Sequence, residues 1–117
     1  MRISAIIESR EGERRVALTP EAAQKLVRDG HTVTIESGAG AAIGALDTDY
    51  RDAGAMIADN RAGAIAAADL VASINHGHID DLPGLNERHT LVALLDPLWR
   101  PEPMTAIAAT GATALSL

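Results

Sequence analysis

Short apolar runs alternate along the chain with stretches of helical spacing. Arg2–Ile7 reads as a buried strand. Thr19-Pro20-Glu21 reads as a helix start, with Thr19 as N-cap, Pro20 at the first helical position and Glu21 complementing the dipole. Ala22, Ala23, Leu26 and Val27 recur at helical spacing, and Gly30 is the stop. His31–Glu36 alternates as a second strand. Asp47 is placed to cap a short helix through Tyr50 and Ala53, and Asn60 another through Ile65 and Ala68. Asp69–Ile74 and His89–Leu95 read as the third and fourth strands, Pro101–Thr110 as a helix ended by Gly111, and Ala112–Leu117 as the fifth strand. Strands separated by helices imply βαβ units with right-handed crossovers. The expectation is a three-layer, flavodoxin-like α/β fold with an open parallel sheet of about five strands. A length of 117 residues fits one domain, and no interdomain linker is visible. The last strand has no helix after it, which predicts a cut or a hand-over to further sequence.

Composition narrows the chemistry. Apolar residues make up 47% of the 117 and aromatics 2%, so Tyr50 and Trp99 are the two large rings in a core of Ala, Val, Leu and Ile. A net charge of −6 argues against nucleic-acid backbone contact, which needs a basic stripe. The absence of cysteine removes disulfides, thiolate metal sites and cysteine nucleophiles. MRISAII is too short an apolar run for a membrane span or a signal peptide.

Four segments carry candidate chemistry. The Glu8–Leu18 connection is long for a strand-to-helix loop and carries six charged residues, Glu8, Arg10, Glu11, Glu13, Arg14 and Arg15. It lies at a strand's carboxyl end, where open sheets bind ligands. Arg15 is its best candidate to fork a carboxylate or phosphate, because Val16-Ala17-Leu18 pulls it toward the core. A solvated loop with internal ion pairs is the bland reading, and it suits Arg10 and Arg14 best. Gly38-Ala39-Gly40-Ala41-Ala42-Ile43-Gly44 has one residue too many for a dinucleotide fingerprint and follows the wrong strand, so it reads as a turn needed for backbone geometry. His76-Gly77-His78 with Asp80 and Asp81 lacks a metal-site spacing and reads as a polar loop. Asn75 at the third strand's end faces the same crevice as Arg15, unless it serves only as a turn residue. Asp96, in Asp96-Pro97-Leu98-Trp99, stands at the fourth strand's tip, within reach of a ligand or in an ordinary turn.

Taken in order, Met1-Arg2-Ile3, Glu8, Glu13, Arg15-Val16-Ala17-Leu18-Thr19-Pro20, Leu26, Gly30-His31, Glu36-Ser37-Gly38-Ala39-Gly40, Asp49-Tyr50, Ala53-Gly54-Ala55, Ala68-Asp69 and Thr90-Leu91-Val92 resemble the N-terminal segment shared by alanine dehydrogenases and the alpha subunit of proton-translocating NAD(P) transhydrogenase. The resemblance covers the whole chain. Alanine dehydrogenases have a lysine at the position of Asn75 and a histidine at that of Asp96, and these handle the keto acid with the arginine matching Arg15. A neutral amide cannot supply an ammonium's charge, nor a carboxylate an imidazole's pKa. SINHG and LLDPL fit the transhydrogenase branch better. Ser4 and Ile6 replace that family's usual Gly and Pro in the first strand.

The resemblance implies a domain of an oxidoreductase that transfers hydride between NAD(H) and NADP(H), coupled to proton translocation. Its expected partners are its own Rossmann domain, a homodimer partner, and membrane and NADP(H)-binding domains. It would be cytoplasmic, peripheral to the cell membrane through those partners. NAD(H) would be held mainly by sequence beyond residue 117, where an R-A-Q-x-x-D loop and the Rossmann unit would follow, so the isolated chain is expected to be inactive, with no catalytic residue of its own and no metal. The alternatives are an alanine dehydrogenase-like oxidoreductase and a non-enzymatic interaction module that uses its uncovered last strand.

Overall fold

The computed structural model describes residues 1–75, 79–95 and 101–117. Its elements run β1 (Arg2–Ala5), α1 (Pro20–Arg28), β2 (Thr32–Glu36), a 3-10 turn (Ala41–Ile43), α2 (Asp47–Asp52), β3 (Met56–Ala58), α3 (Arg61–Ala66), β4 (Leu70–Ala72), a second 3-10 turn (Ile79–Asp81), β5 (Thr90–Ala93), α4 (Pro101–Ala109) and β6 (Thr113–Ser116). Every strand pair is parallel, in the order β3-β2-β1-β4-β5-β6.

The open parallel α/β sheet expected from sequence is present, with one more strand than expected. The other five strands keep the order of a flavodoxin-like sheet. Adding β3 at the edge beside β2 extends this to the six-strand doubly wound order. The order in which strands are added reverses between β1 and β4, and Ala5 of β1 pairs with Ile35 on one side and Ala72 on the other.

Local chemistry explains the helix starts. The Thr19 hydroxyl accepts from the Ala22 amide at 3.2 Å, and Asn60 Oδ1 accepts from the Gly63 amide at 2.8 Å. Asp47 does not cap α2 as expected. The backbone N–H of Leu46, the residue before the helix, donates to Asp49 at 2.7 Å. Asp47 instead turns back to the glycine segment, accepting from the Ser37 hydroxyl at 2.6 Å and the Gly38 amide at 3.0 Å.

Alternation in β1 separates two cores. Ala5 joins Val33, Ile35, Ala23 and Tyr50 beneath α1 and α2. Ile6 joins Ala64, Ile65, Val71, Leu91, Ala93 and Ile107 beneath α3 and α4. The two departures in the first strand both face α3 and α4. The Ser4 hydroxyl donates to the Ala64 carbonyl at 2.7 Å, and Ile6 is fully buried. On the opposite face, α1 and α2 pack over β1–β3, and Leu115 of β6 is 51% exposed. His89, 1% exposed, links β5 to α3: its Nδ1 accepts from the Asn86 amide, so Nε2 carries the hydrogen donated to the Ile65 carbonyl at 2.9 Å.

Candidate functional site

The crevice outside the carboxyl ends of β1 and β4 is the topological switch point, where open α/β sheets place ligands. Two carboxylates build it. Glu8, just beyond β1, reaches across to the end of β4. It accepts from the Ser73 hydroxyl at 3.0 Å, the Ile74 amide at 3.0 Å and the Asn75 amide at 2.7 Å. A single side chain thus fixes the backbone that carries Asn75.

Glu13 holds the rest. Its side chain is 8% exposed, and it accepts from the Arg15 backbone amide at 3.1 Å, Arg15 Nε at 2.8 Å and Arg15 Nη2 at 2.8 Å. The Asn75 side-chain amide donates to the same carboxylate. Hydrogen bonds from the Arg15 side chain, then from its backbone, draw the Glu13 carboxyl down to about 2. Glu13 also raises the pKa of Arg15.

Below these residues lies a second network. Glu36, at the end of β2, accepts from the Ile7 amide at 2.7 Å and from Arg61 Nε at 3.2 Å. Arg61 Nη2 donates to the Ile7 carbonyl at 2.8 Å, and Nη1 donates to the Asp81 carbonyl at 3.2 Å. Asp81 also accepts from the Ser9 hydroxyl at 2.9 Å. One guanidinium therefore ties together β1, β2, α3 and the second 3-10 turn.

Two of the three residues singled out from sequence, Arg15 and Asn75, come together through Glu13. Asp96 lies outside the described residues, as do His76, His78 and Trp99. Arg15 is not drawn into the core: its side chain is 63% exposed and its fork turns onto Glu13. Arg10 and Arg14 are exposed. Glu8 and Glu13, which organise the crevice, were not among the candidate site residues. The loop holds three glutamates and three arginines, so its charge balance did not single them out.

The glycine segment has a packing role. A Cβ on Gly40 would lie 2.8 Å from Tyr50 Cε2 and 2.8 Å from Ala45 Cβ, and Gly38 and Gly44 have φ of 86° and 80°. With the Gly38 amide already given to Asp47, the turn does not form an open phosphate cradle. Among the described residues, no group of three potential ligands could hold a metal ion, and no helix is long and apolar enough to cross a membrane.

Comparison with known proteins gives one family. Residues 5–117 match the family described as alanine dehydrogenase/PNT, N-terminal domain. The whole chain is 33% identical over 117 residues to the NAD(P) transhydrogenase subunit alpha of Cereibacter sphaeroides, covering 22% of that protein. The crystal structure of a transhydrogenase from Sinorhizobium meliloti superposes with a TM-score of 0.90 at 28% identity, over 99% of this chain and 34% of that one. A solved L-alanine dehydrogenase superposes with a TM-score of 0.86 at 30% identity, over 99% of this chain and 32% of that one. The chain thus spans about a fifth to a third of the length of these relatives. It belongs to the alanine dehydrogenase/PNT N-terminal domain family.

Proposed function

We propose, from membership of that family, that this chain is the N-terminal domain of an NAD(P) transhydrogenase alpha subunit. Its parent transfers hydride between NAD(H) and NADP(H), coupled to proton translocation. The observation that carries this reading is Asn75. The tip of β4 presents a neutral amide, and its hydrogen bond goes to Glu13. A carbonyl substrate activated at this position would need a cation. Hydride transfer between two nicotinamide rings needs ring positioning, for which an amide and a guanidinium edge suffice. The match over all 117 residues to a transhydrogenase alpha subunit supports the same branch.

The described residues fit only a share of NAD(H). The Gly38 amide is engaged by Asp47, and under this reading the pyrophosphate is held by a Rossmann domain of the parent. Asn75 and Arg15 would face the nicotinamide end, with Asp96 as the third candidate. A homodimer partner, NADP(H)-binding and membrane domains, and a peripheral cytoplasmic location belong to this reading. The chain alone is inactive under it, and it needs no metal.

The likeness to L-alanine dehydrogenase supports a second reading, an alanine-oxidising parent. The test uses the full-length parent with its partner subunits. NADH-dependent reduction of NADP+, without alanine-dependent reduction of NAD+, is the expected result. Alanine-dependent turnover without transhydrogenation would establish the second reading instead.

A further inference from the structure

The crevice is unusually self-sufficient. A carboxylate offers about four acceptor positions. All four on Glu13 are used, three by Arg15 and one by Asn75. The Nε/Nη2 edge of Arg15, one of the forks by which a guanidinium recognises a carboxylate, is already filled by one from the same loop. The charges around it reinforce this. Among the described residues joined in these two networks, four carboxylates, Glu8, Glu13, Glu36 and Asp81, stand against the two guanidinium groups of Arg15 and Arg61. A free acid that uses this edge must displace a tethered competitor of the same chemistry, whose effective concentration is of millimolar order or above. It must also approach against a negative field.

We propose that Glu13 paired with Asn75 is specificity-determining: with a neutral amide at position 75, Glu13 stays on the Nε/Nη2 edge of Arg15 as a built-in carboxylate and so keeps small carboxylic acids off that edge of the β1/β4 crevice. Asn75 completes the device. Its amide gives Glu13 a hydrogen bond without a charge, so Glu13 has no cation at position 75 to draw it off Arg15. The crevice is left to uncharged or cationic groups, the class to which a nicotinamide ring belongs. The inference rests on the reading of this crevice as the site. It is tested by carboxylate binding, whereas that reading is tested by hydride transfer, so the two can fail separately.

The experiment titrates pyruvate into the isotopically labelled 117-residue chain and follows the Arg15 Nε–H resonance by NMR. The unaltered chain is expected to show no saturable shift. Glu13→Gln should bind pyruvate at least about tenfold more tightly, with the Arg15 resonance moving, and Glu13→Gln/Arg15→Gln should lose the gain. Asn75→Lys, whose ammonium takes over Glu13, should produce the same gain and lose it in Asn75→Lys/Arg15→Gln, and this pair carries the test if Glu13→Gln does not fold by circular dichroism. Pyruvate binding to the unaltered chain within about threefold of either variant would overturn the proposal, as would a gain that survives loss of Arg15.

Discussion

Replacing Arg61 with Met is expected to destabilise the chain by about 3 kcal/mol in urea unfolding. The loss comes from what Arg61 leaves behind. Glu36 is 9% exposed on its side chain and would keep only the Ile7 amide as a described partner, while the Ile7 carbonyl would lose its donor. A buried carboxylate stripped of its cation costs several times more than an exposed pair is worth. The double variant Arg61→Met/Glu36→Gln should recover roughly half of the loss, because a Gln oxygen still accepts from Ile7 and no unpaired charge remains. A single-variant loss below about 1 kcal/mol would show that this network is ordinary surface pairing. Because it anchors the ends of β1 and β2, its loss would also loosen the crevice above.

Tyr50→Ala is expected to cost about 4 kcal/mol, the upper part of the range for large-to-small core changes. Tyr50 is fully buried, and its ring fills the space where Gly40 has no side chain. Its hydroxyl donates to the Leu18 carbonyl at 2.8 Å, one residue before the cap of α1. Tyr50→Phe isolates that bond and should cost about 1 kcal/mol. Equal losses for the two variants would mean that the hydroxyl, not the ring, carries the packing around α1 and α2. The pair also tests the reading of Gly40 as a seat for this ring.

Much of the fold was legible because each signal was local. Thr19-Pro20 and Asn60 cap where their chemistry requires, and the alternating residues of β1 separate the two cores. β3 escaped notice because it has three residues, Met56–Ala58, with Met56 60% exposed, so neither length nor alternation marks it. Asp47 looked like a cap by position, but the Ser37 hydroxyl and Gly38 amide, nine or more residues back in the chain, compete for its carboxylate. At the site, placing Arg15 and Asn75 near one crevice needed only the order of strands. The roles of Glu8 and Glu13 were not legible, because each depends on a contact with the end of β4 more than 60 residues away. Sequence patterns report the face of a strand, not which distant backbone amides need an acceptor.

Under the proposed function, the β1/β4 crevice of this domain meets the nicotinamide end of NAD(H) in the parent. The most direct measurement is titration of NADH into the isotopically labelled full-length alpha subunit, following the Asn75 side-chain amide and Arg15 Nε–H resonances, with Asn75→Ala to assign the former. Both resonances should move with one shared dissociation constant. NADH binding that shifts resonances elsewhere in the subunit and leaves both of these unmoved would contradict it.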